Sequence, residues 1–259
     1  MKIAILPSNQ HLNKYLGLPG VTEEKWAVAV SAWVVRRLKE RGAEVGYFHV
    51  PGAGSSSVDE LDKMIAQAIA WNPDYTISVH SDAVGDAKQT GILMLMLRES
   101  DRAYGQALGK AIAKNVGLPY KATWVAGKEM RWINYLRALY NRNRQGCLVE
   151  VGEHATVAEA AWNWRYTKEI GLGIADALAD HLGLTTAPEE EGDDMTDEDR
   201  KLLTEVAGLL KQSRVSDVAR SHDMEILKAM IGGESDERIS ELETQKAEAT
   251  RQERKRLGL

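Results

Sequence analysis

Residues 75–83 read YTISVHSDA, an apolar run that ends at a histidine, a serine and an aspartate. The aromatic and β-branched residues predict a β-strand over residues 75–80. Residues 58–71, which precede it, carry apolar side chains at helical spacing. Open α/β sheets place their ligand sites beyond the carboxyl ends of the strands. We therefore expect His80 to be a candidate site residue at such an edge.

The same alternation of strands and helices extends in both directions from this segment. It predicts an α/β fold with a central, twisted, mostly parallel sheet that is flanked by helices. Further strands are predicted at residues 2–6, 44–50, 91–97 and 147–151, and helices at residues 25–41, 58–71, 100–116 and 157–182.

The composition changes after residue 184. Eight of the eleven residues from 189 to 199 are acidic, which is typical of a solvated linker. We predict a folded domain over residues 1–184, an acidic linker over 185–200 and a charged helical C-terminal tail over 201–259. The tail is interpreted as a segment for homo-oligomerisation or for binding to a cell wall or a partner, with a loosely ordered helix as the alternative.

Charge and hydropathy exclude several classes of function. A net charge of −5 and a pI near 5.8 provide no general attraction to nucleic acid. No run approaches the roughly 18 to 20 apolar residues that cross a bilayer, so we expect no membrane insertion. The single cysteine, Cys147, cannot form an intramolecular disulfide. The apolar run at the N-terminus gives way to polar residues before it is long enough for the core of an export signal. We therefore expect no signal peptide and a protein that is cytoplasmic when synthesised.

Other candidate site residues lie near the ends of the predicted strands. His11 follows the first strand, and Glu23 and Glu24 stand at the start of the next helix, where a carboxylate also favours the helix dipole. Glu150 is embedded in the apolar strand CLVEV, where an ionised carboxylate costs several kcal/mol unless it is paired or faces a polar cavity. Two imidazoles and a carboxylate suit zinc, with a second carboxylate free as a general base.

The order of these motifs resembles the zinc-dependent N-acetylmuramoyl-L-alanine amidases, the amidase type 3 family of bacterial autolysins and phage endolysins. Residues 75–83 are similar to the "SIHxNA" strand of the family, and residues 148–152 (LVEVG) to its "LVExGF" strand. Residues 90–92 (TGI) are similar to its "GxE/T" strand. The resemblance extends over residues 2–182 and implies a catalytic domain.

This resemblance implies a role for each candidate residue. It makes His11, Glu23 and His80 the zinc ligands, with Glu24 as the alternative to Glu23, and Glu150 the catalytic base. The implied reaction is hydrolysis of the amide between N-acetylmuramic acid and L-alanine in peptidoglycan, by an endolysin-like enzyme released through holin-type pores.

The chain departs from the family pattern in two loops. The "DPGHGG" loop that carries the first ligand of the family is LPSNQHLN here, where His11 is the one histidine available. The phenylalanine after "ExG" is replaced by Glu153, followed by His154, and we interpret these two residues as an exposed loop. Two alternative functions stay open: a zinc peptidase that acts on free peptides, and a catalytically inactive wall-binding module.

Overall fold

The computed structural model describes residues 1–51, 58–83, 90–126, 134–141 and 145–184, and a few residues between 244 and 256. The chain divides into two units, Met1–Asp199 and Arg200–Leu259. In the second unit the described residues are helical, and Glu248 accepts hydrogen bonds from Arg251 and Gln252. The predicted linker and the rest of the predicted tail lie outside the described residues.

A six-stranded sheet forms the centre of the first unit, with the strand order β2-β1-β3-β6-β4-β5. Each pair of neighbours is parallel except β4 and β6, which are antiparallel. The predicted α/β fold with a mostly parallel sheet is therefore confirmed. The strands are β1 (Lys2–Pro7), β2 (Glu44–Tyr47), β3 (Tyr75–Asp82), β4 (Ile92–Met96), β5 (Tyr120–Val125) and β6 (Gly146–Glu153).

Helices cover both faces of this sheet. The helices are α1 (Glu23–Glu40), α2 (Val58–Ala70), α3 (Arg102–Val116), α4 (Asn134–Asn141), α5 (Val157–Arg165) and α6 (Thr167–His181), with a 3₁₀ turn at Glu99–Asp101. Helices α1 and α3 both pack against α6, whereas α2 packs against α4. The α2 and α4 side buries a leucine-rich cluster that includes Leu6, Leu93, Leu95, Leu136 and Leu148. No helix in the described ranges has the length and apolar character that crossing a membrane requires.

Three features differ from the sequence-based prediction, and the first is helix α4, which lies in a segment where no helix was predicted. Strand β5 was not predicted, because it is an edge strand whose side chains are mostly only partly buried and show no clear alternation. The predicted helix over residues 157–182 is wrong as one element, since it ends at Arg165 and a new helix begins at Thr167. The Trp26 indole N–H donates to the Asn163 carbonyl, and the Thr167 hydroxyl donates to the Trp164 carbonyl at 2.7 Å. Side chains therefore bind backbone carbonyls at the point where the helix is interrupted.

Candidate metal centre

The register between β3 and β6 brings two of the predicted site residues side by side. His80 and Glu150 are direct partners in this parallel ladder, near the carboxyl ends of both strands. Partners in a ladder point to the same face of a sheet, so the imidazole and the carboxylate share one surface. This edge is where α/β sheets commonly hold their ligands.

Glu23 reaches the same place from the first turn of α1. Thr22 caps this helix by accepting a hydrogen bond from the Lys25 N–H. The Asn13 backbone oxygen accepts a hydrogen bond from the Glu23 N–H at 2.8 Å, and the Asn13 side-chain amide donates to Glu23 Oε2 at 2.9 Å. The loop before α1 therefore fixes both the backbone and the carboxylate of Glu23, whose exposed fraction is only 2%.

Glu23, His80 and Glu150 form the candidate metal centre. Their potential ligand atoms all lie within 4.8 Å of one another. His80 Nδ1 lies 2.9 Å from Glu23 Oε1. Glu150 Oε2 is buried and has no hydrogen-bond partner among the described residues. A buried carboxylate oxygen without a partner is costly unless a ligand or a proton compensates it.

The electrostatics of the three groups are mutually dependent. Burial raises the pKa of Glu150 to about 8, against the opposing effect of His80. Burial also works to raise the pKa of Glu23, but hydrogen bonds from His80 and Asn13 lower it below its ordinary value. Burial disfavours charged His80, yet the Glu23 carboxylate raises the pKa of this imidazole. An ion pair between Lys121 Nζ and Asp82 Oδ2, at 2.8 Å, adds a cation and an anion near Glu150.

The donor set fits a divalent metal such as zinc. Carboxylate oxygens and an imidazole nitrogen are both common zinc ligands. The unpartnered oxygen of Glu150 is the observation that favours a bound cation, because a positive charge would stabilise this carboxylate in its ionised form.

The structure does not bring His11 into this group of three. His11 lies in a turn after β1, where its backbone N–H donates to the Asn9 carbonyl at 3.0 Å. Glu24 is directed elsewhere, because its Oε1 lies 3.0 Å from His49 Nε2. Of the two adjacent glutamates, Glu23 is thus the one that lies beside His80.

The expectation of an exposed loop at residues 153–154 is wrong. Glu153 and His154 are buried, and the His154 ring stacks on Tyr15 with their centroids 5.0 Å apart. The Ser81 hydroxyl lies 2.9 Å from His154 Nδ1, and the Leu16 N–H donates to the His154 carbonyl. Strand β6 extends to Glu153, and the loop before α1 covers its end, so these side chains lie in the interior.

Sequence reasoning missed three polar residues around the centre. Asn13 and Gln10 come from the loop before α1, and the Gln10 amide nitrogen lies 3.5 Å from His80 Nδ1. Contacts across a loop leave no periodic signal. Ser78 could have been found, since it precedes His80 by two positions in a strand and must share its face.

Comparison with known proteins finds one protein family and several solved structures that resemble this chain. A family model described as N-acetylmuramoyl-L-alanine amidase matches residues 14–180. Among curated proteins, none matches the chain. The catalytic domain of CwlV, an N-acetylmuramoyl-L-alanine amidase from Bacillus (Paenibacillus) polymyxa var. colistinus, has a TM-score of 0.56 at 17% identity, over 71% of this chain and 100% of that one.

Two further amidase structures are comparably similar. The N-acetylmuramoyl-L-alanine amidase AmiC2 of Nostoc punctiforme has a TM-score of 0.55 at 17% identity, over 71% of this chain and 97% of that one. The putative N-acetylmuramoyl-L-alanine amidase from Neisseria meningitidis has a TM-score of 0.53 at 21% identity, over 72% and 98%. At such identities the likeness shows a shared fold.

Proposed function

This chain belongs to the N-acetylmuramoyl-L-alanine amidase family, and we propose that it hydrolyses the amide between N-acetylmuramic acid and L-alanine in peptidoglycan with the help of zinc. The observation that carries the proposal is the grouping of Glu23, His80 and Glu150 at the carboxyl edge of the sheet. A family match supplies the reaction class, and this grouping supplies residues that could perform it.

In this proposal Glu23 and His80 hold the metal, and Glu150 moves the proton. Bound zinc would polarise the amide carbonyl and lower the pKa of water. Glu150 Oε2 is suited to accept a proton from water, since it has no other hydrogen-bond partner among the described residues. The same carboxyl group would then return the proton to the leaving amine of L-alanine. Asn13 keeps the Glu23 carboxylate in place by its hydrogen bond to Oε2.

The test is the release of stem peptides with a free L-alanine amino group from purified peptidoglycan, measured together with the zinc content. Wild type should contain about one zinc per chain and release these peptides. His80→Ala should lose both zinc and activity. Glu24→Gln is the matched control, because it removes a neighbouring carboxylate that pairs with His49 and not with His80.

Two other results of this experiment would support the alternative functions, a zinc peptidase or an inactive wall-binding module. Cleavage of free peptides without cleavage of intact peptidoglycan would support a zinc peptidase. Binding of peptidoglycan without zinc and without peptide release would support an inactive wall-binding module. Both outcomes contradict the proposed amidase activity.

We also propose, from the family resemblance alone, that the protein acts like an endolysin. It would leave the cytoplasm through holin-type pores and then degrade the cell wall. Production of the protein inside a susceptible bacterium should leave the cells intact until the inner membrane is permeabilised, and then cause lysis. Lysis without permeabilisation would contradict this route. The catalytically impaired Glu150→Gln variant, produced at the same level, is the control for nonspecific lysis.

A further inference from the structure

We propose that the buried Ser78 hydroxyl is a positioning group that determines which ring nitrogen of His80 meets a metal ion. It would keep the proton on Nε2 and direct the lone pair of Nδ1 to the candidate metal centre. This inference rests on the metal site of the proposed function and does not depend on the amide substrate.

The Ser78 hydroxyl donates its proton to a backbone carbonyl. Its exposed fraction is 1%, and its Oγ lies 2.9 Å from the backbone oxygen of Leu6, its partner in the ladder between β1 and β3. A carbonyl oxygen can only accept, so the one hydroxyl proton of Ser78 points to Leu6. The lone pairs of Oγ are then left for a donor.

The imidazole of His80 supplies that donor. His80 Nε2 lies 3.1 Å from Ser78 Oγ, on the face of β3 that residues two apart share. Because Oγ has already donated its proton, it can only accept at this contact. Nε2 therefore carries a proton, and in the neutral imidazole Nδ1 presents its lone pair.

A second set of contacts orients the polar groups around Nδ1. The Glu23 carboxylate only accepts, so the Asn13 amide nitrogen must face Glu23 Oε2. The other N–H of this amide donates to Gln10 Oε1, which turns Gln10 Nε2 to the ring of His80. This nitrogen lies 3.5 Å from His80 Nδ1, and a donor facing Nδ1 is compatible with a lone pair there.

The consequence concerns the short contact between His80 and Glu23. Nδ1 and Glu23 Oε1 are 2.9 Å apart, and because a carboxylate only accepts, a protonated His80 donates its Nδ1–H to Glu23 in the metal-free chain. A metal ion at this place would replace the Nδ1 proton, while Ser78 keeps the proton on Nε2. Ser78 thus prepares His80 as an Nδ1 ligand in the way that the outer hydrogen bonds of metal-bound histidines do.

The experiment compares Ser78→Ala with Ser31→Ala in the full chain. Ser31 is a matched control, since its hydroxyl is equally buried on α1 and lies outside the candidate metal centre. Zinc affinity is measured by competition with a chelator, without substrate. Ser78→Ala should bind zinc about 10- to 100-fold more weakly. Ser31→Ala should stay near the wild-type affinity. Equal affinities of Ser78→Ala and wild type would overturn the inference.

Long-range ¹H–¹⁵N correlation spectra of the zinc-loaded wild type provide a second readout that does not require the variant to fold. They should show His80 with its proton on Nε2 and the metal on Nδ1. A proton on Nδ1, or the absence of zinc binding by wild type, overturns the inference. If zinc binding depends on Ser78 but no stem peptide is released, the inference stands and the proposed amidase activity fails.

Discussion

At the residue scale, Glu150 combines proximity to His80 with an oxygen that no described group satisfies. Replacement of Glu150 by Gln keeps the shape and removes the proton acceptor. We expect Glu150→Gln to fold and to retain zinc, and to release stem peptides about 10²- to 10⁴-fold more slowly. Turnover and zinc content of the purified protein check this prediction. Activity close to that of wild type would show that another group accepts the proton.

The role of His11 as a zinc ligand stays a prediction. The family resemblance makes it a zinc ligand, whereas the group of close ligand atoms contains Glu150 in addition to Glu23 and His80. We expect His11→Ala to reduce zinc affinity less than His80→Ala, because His11 lies outside this group. Chelator competition on both variants measures the difference. An equal loss would support His11 as a third ligand.

At the element scale, the end of β6 depends on the contact between Gly152 and α5. Gly152 has a φ of +64°, and a Cβ at this position would collide with the Asn163 side chain. The Asn163 amide donates to the carbonyls of Val151 and Glu153 on either side of the glycine. This arrangement holds the strand that carries Glu150.

Substitution of Gly152 by Ala should therefore lower the free energy of unfolding by about 2 to 4 kcal/mol, from backbone strain and overpacking together. Gly117→Ala is the matched control, since Gly117 has a φ of +80° but a Cβ added there would meet no other atom within 4 Å. It should cost about 1 kcal/mol of strain alone. Denaturant unfolding of both variants measures the two values. Equal losses of unfolding free energy in the two variants would mean that the collision with Asn163 does not contribute to the destabilisation.

The elements were predictable to different degrees. Strands β1, β3 and β6 have short apolar runs bounded by polar residues, and their positions agree with the sequence-based prediction. Strand β5, helix α4 and the break between α5 and α6 were missed. At β5 and at this break the conformation depends on contacts with distant residues, such as the Trp26 indole that donates to the Asn163 carbonyl.

At the scale of the whole molecule, the candidate metal centre makes stability depend on pH. The pKa values of Glu150 and His80 are raised in the folded chain, so both groups stabilise it at low pH and lose this effect as pH rises. The contribution of Glu150 should disappear between about pH 4.5 and 8. Glu23, whose pKa is lowered, contributes above its ordinary pKa and loses its effect on acidification.

We therefore expect the unfolding midpoint of the metal-free chain, measured in excess chelator, to fall between about pH 4.5 and 8. In Glu150→Gln the fall should be smaller, because one group with a raised pKa is gone. Comparison of the two proteins removes the contribution of the other titrating groups. Identical pH profiles would contradict the raised pKa of Glu150.

At the same scale, the boundary of the folded domain near residue 184 can be tested by truncation. The sheet and helices α1 to α6 end by residue 181, so a chain truncated after Leu184 should fold and bind zinc like the full chain. Thermal unfolding and zinc content test this. If the tail mediates oligomerisation or wall binding, truncation should lower the oligomeric state or the affinity for peptidoglycan. Unchanged values for both would exclude both roles.

The sequence by itself determined the α/β class and the strands that carry His80 and Glu150. These features depend on local periodicity and on apolar runs, which each segment carries in its own residues. The resemblance to the amidase family likewise depended on short local motifs.

Only the tertiary structure decided which side chains meet. The register of β3 against β6 brings Glu150 beside His80, and the loop before α1 brings Asn13 and Gln10 to the same place. The tertiary structure also buries His154 and places the Glu24 carboxylate beside His49. Such contacts join residues far apart in the chain, and their geometry results from packing of the whole domain, which no local pattern encodes.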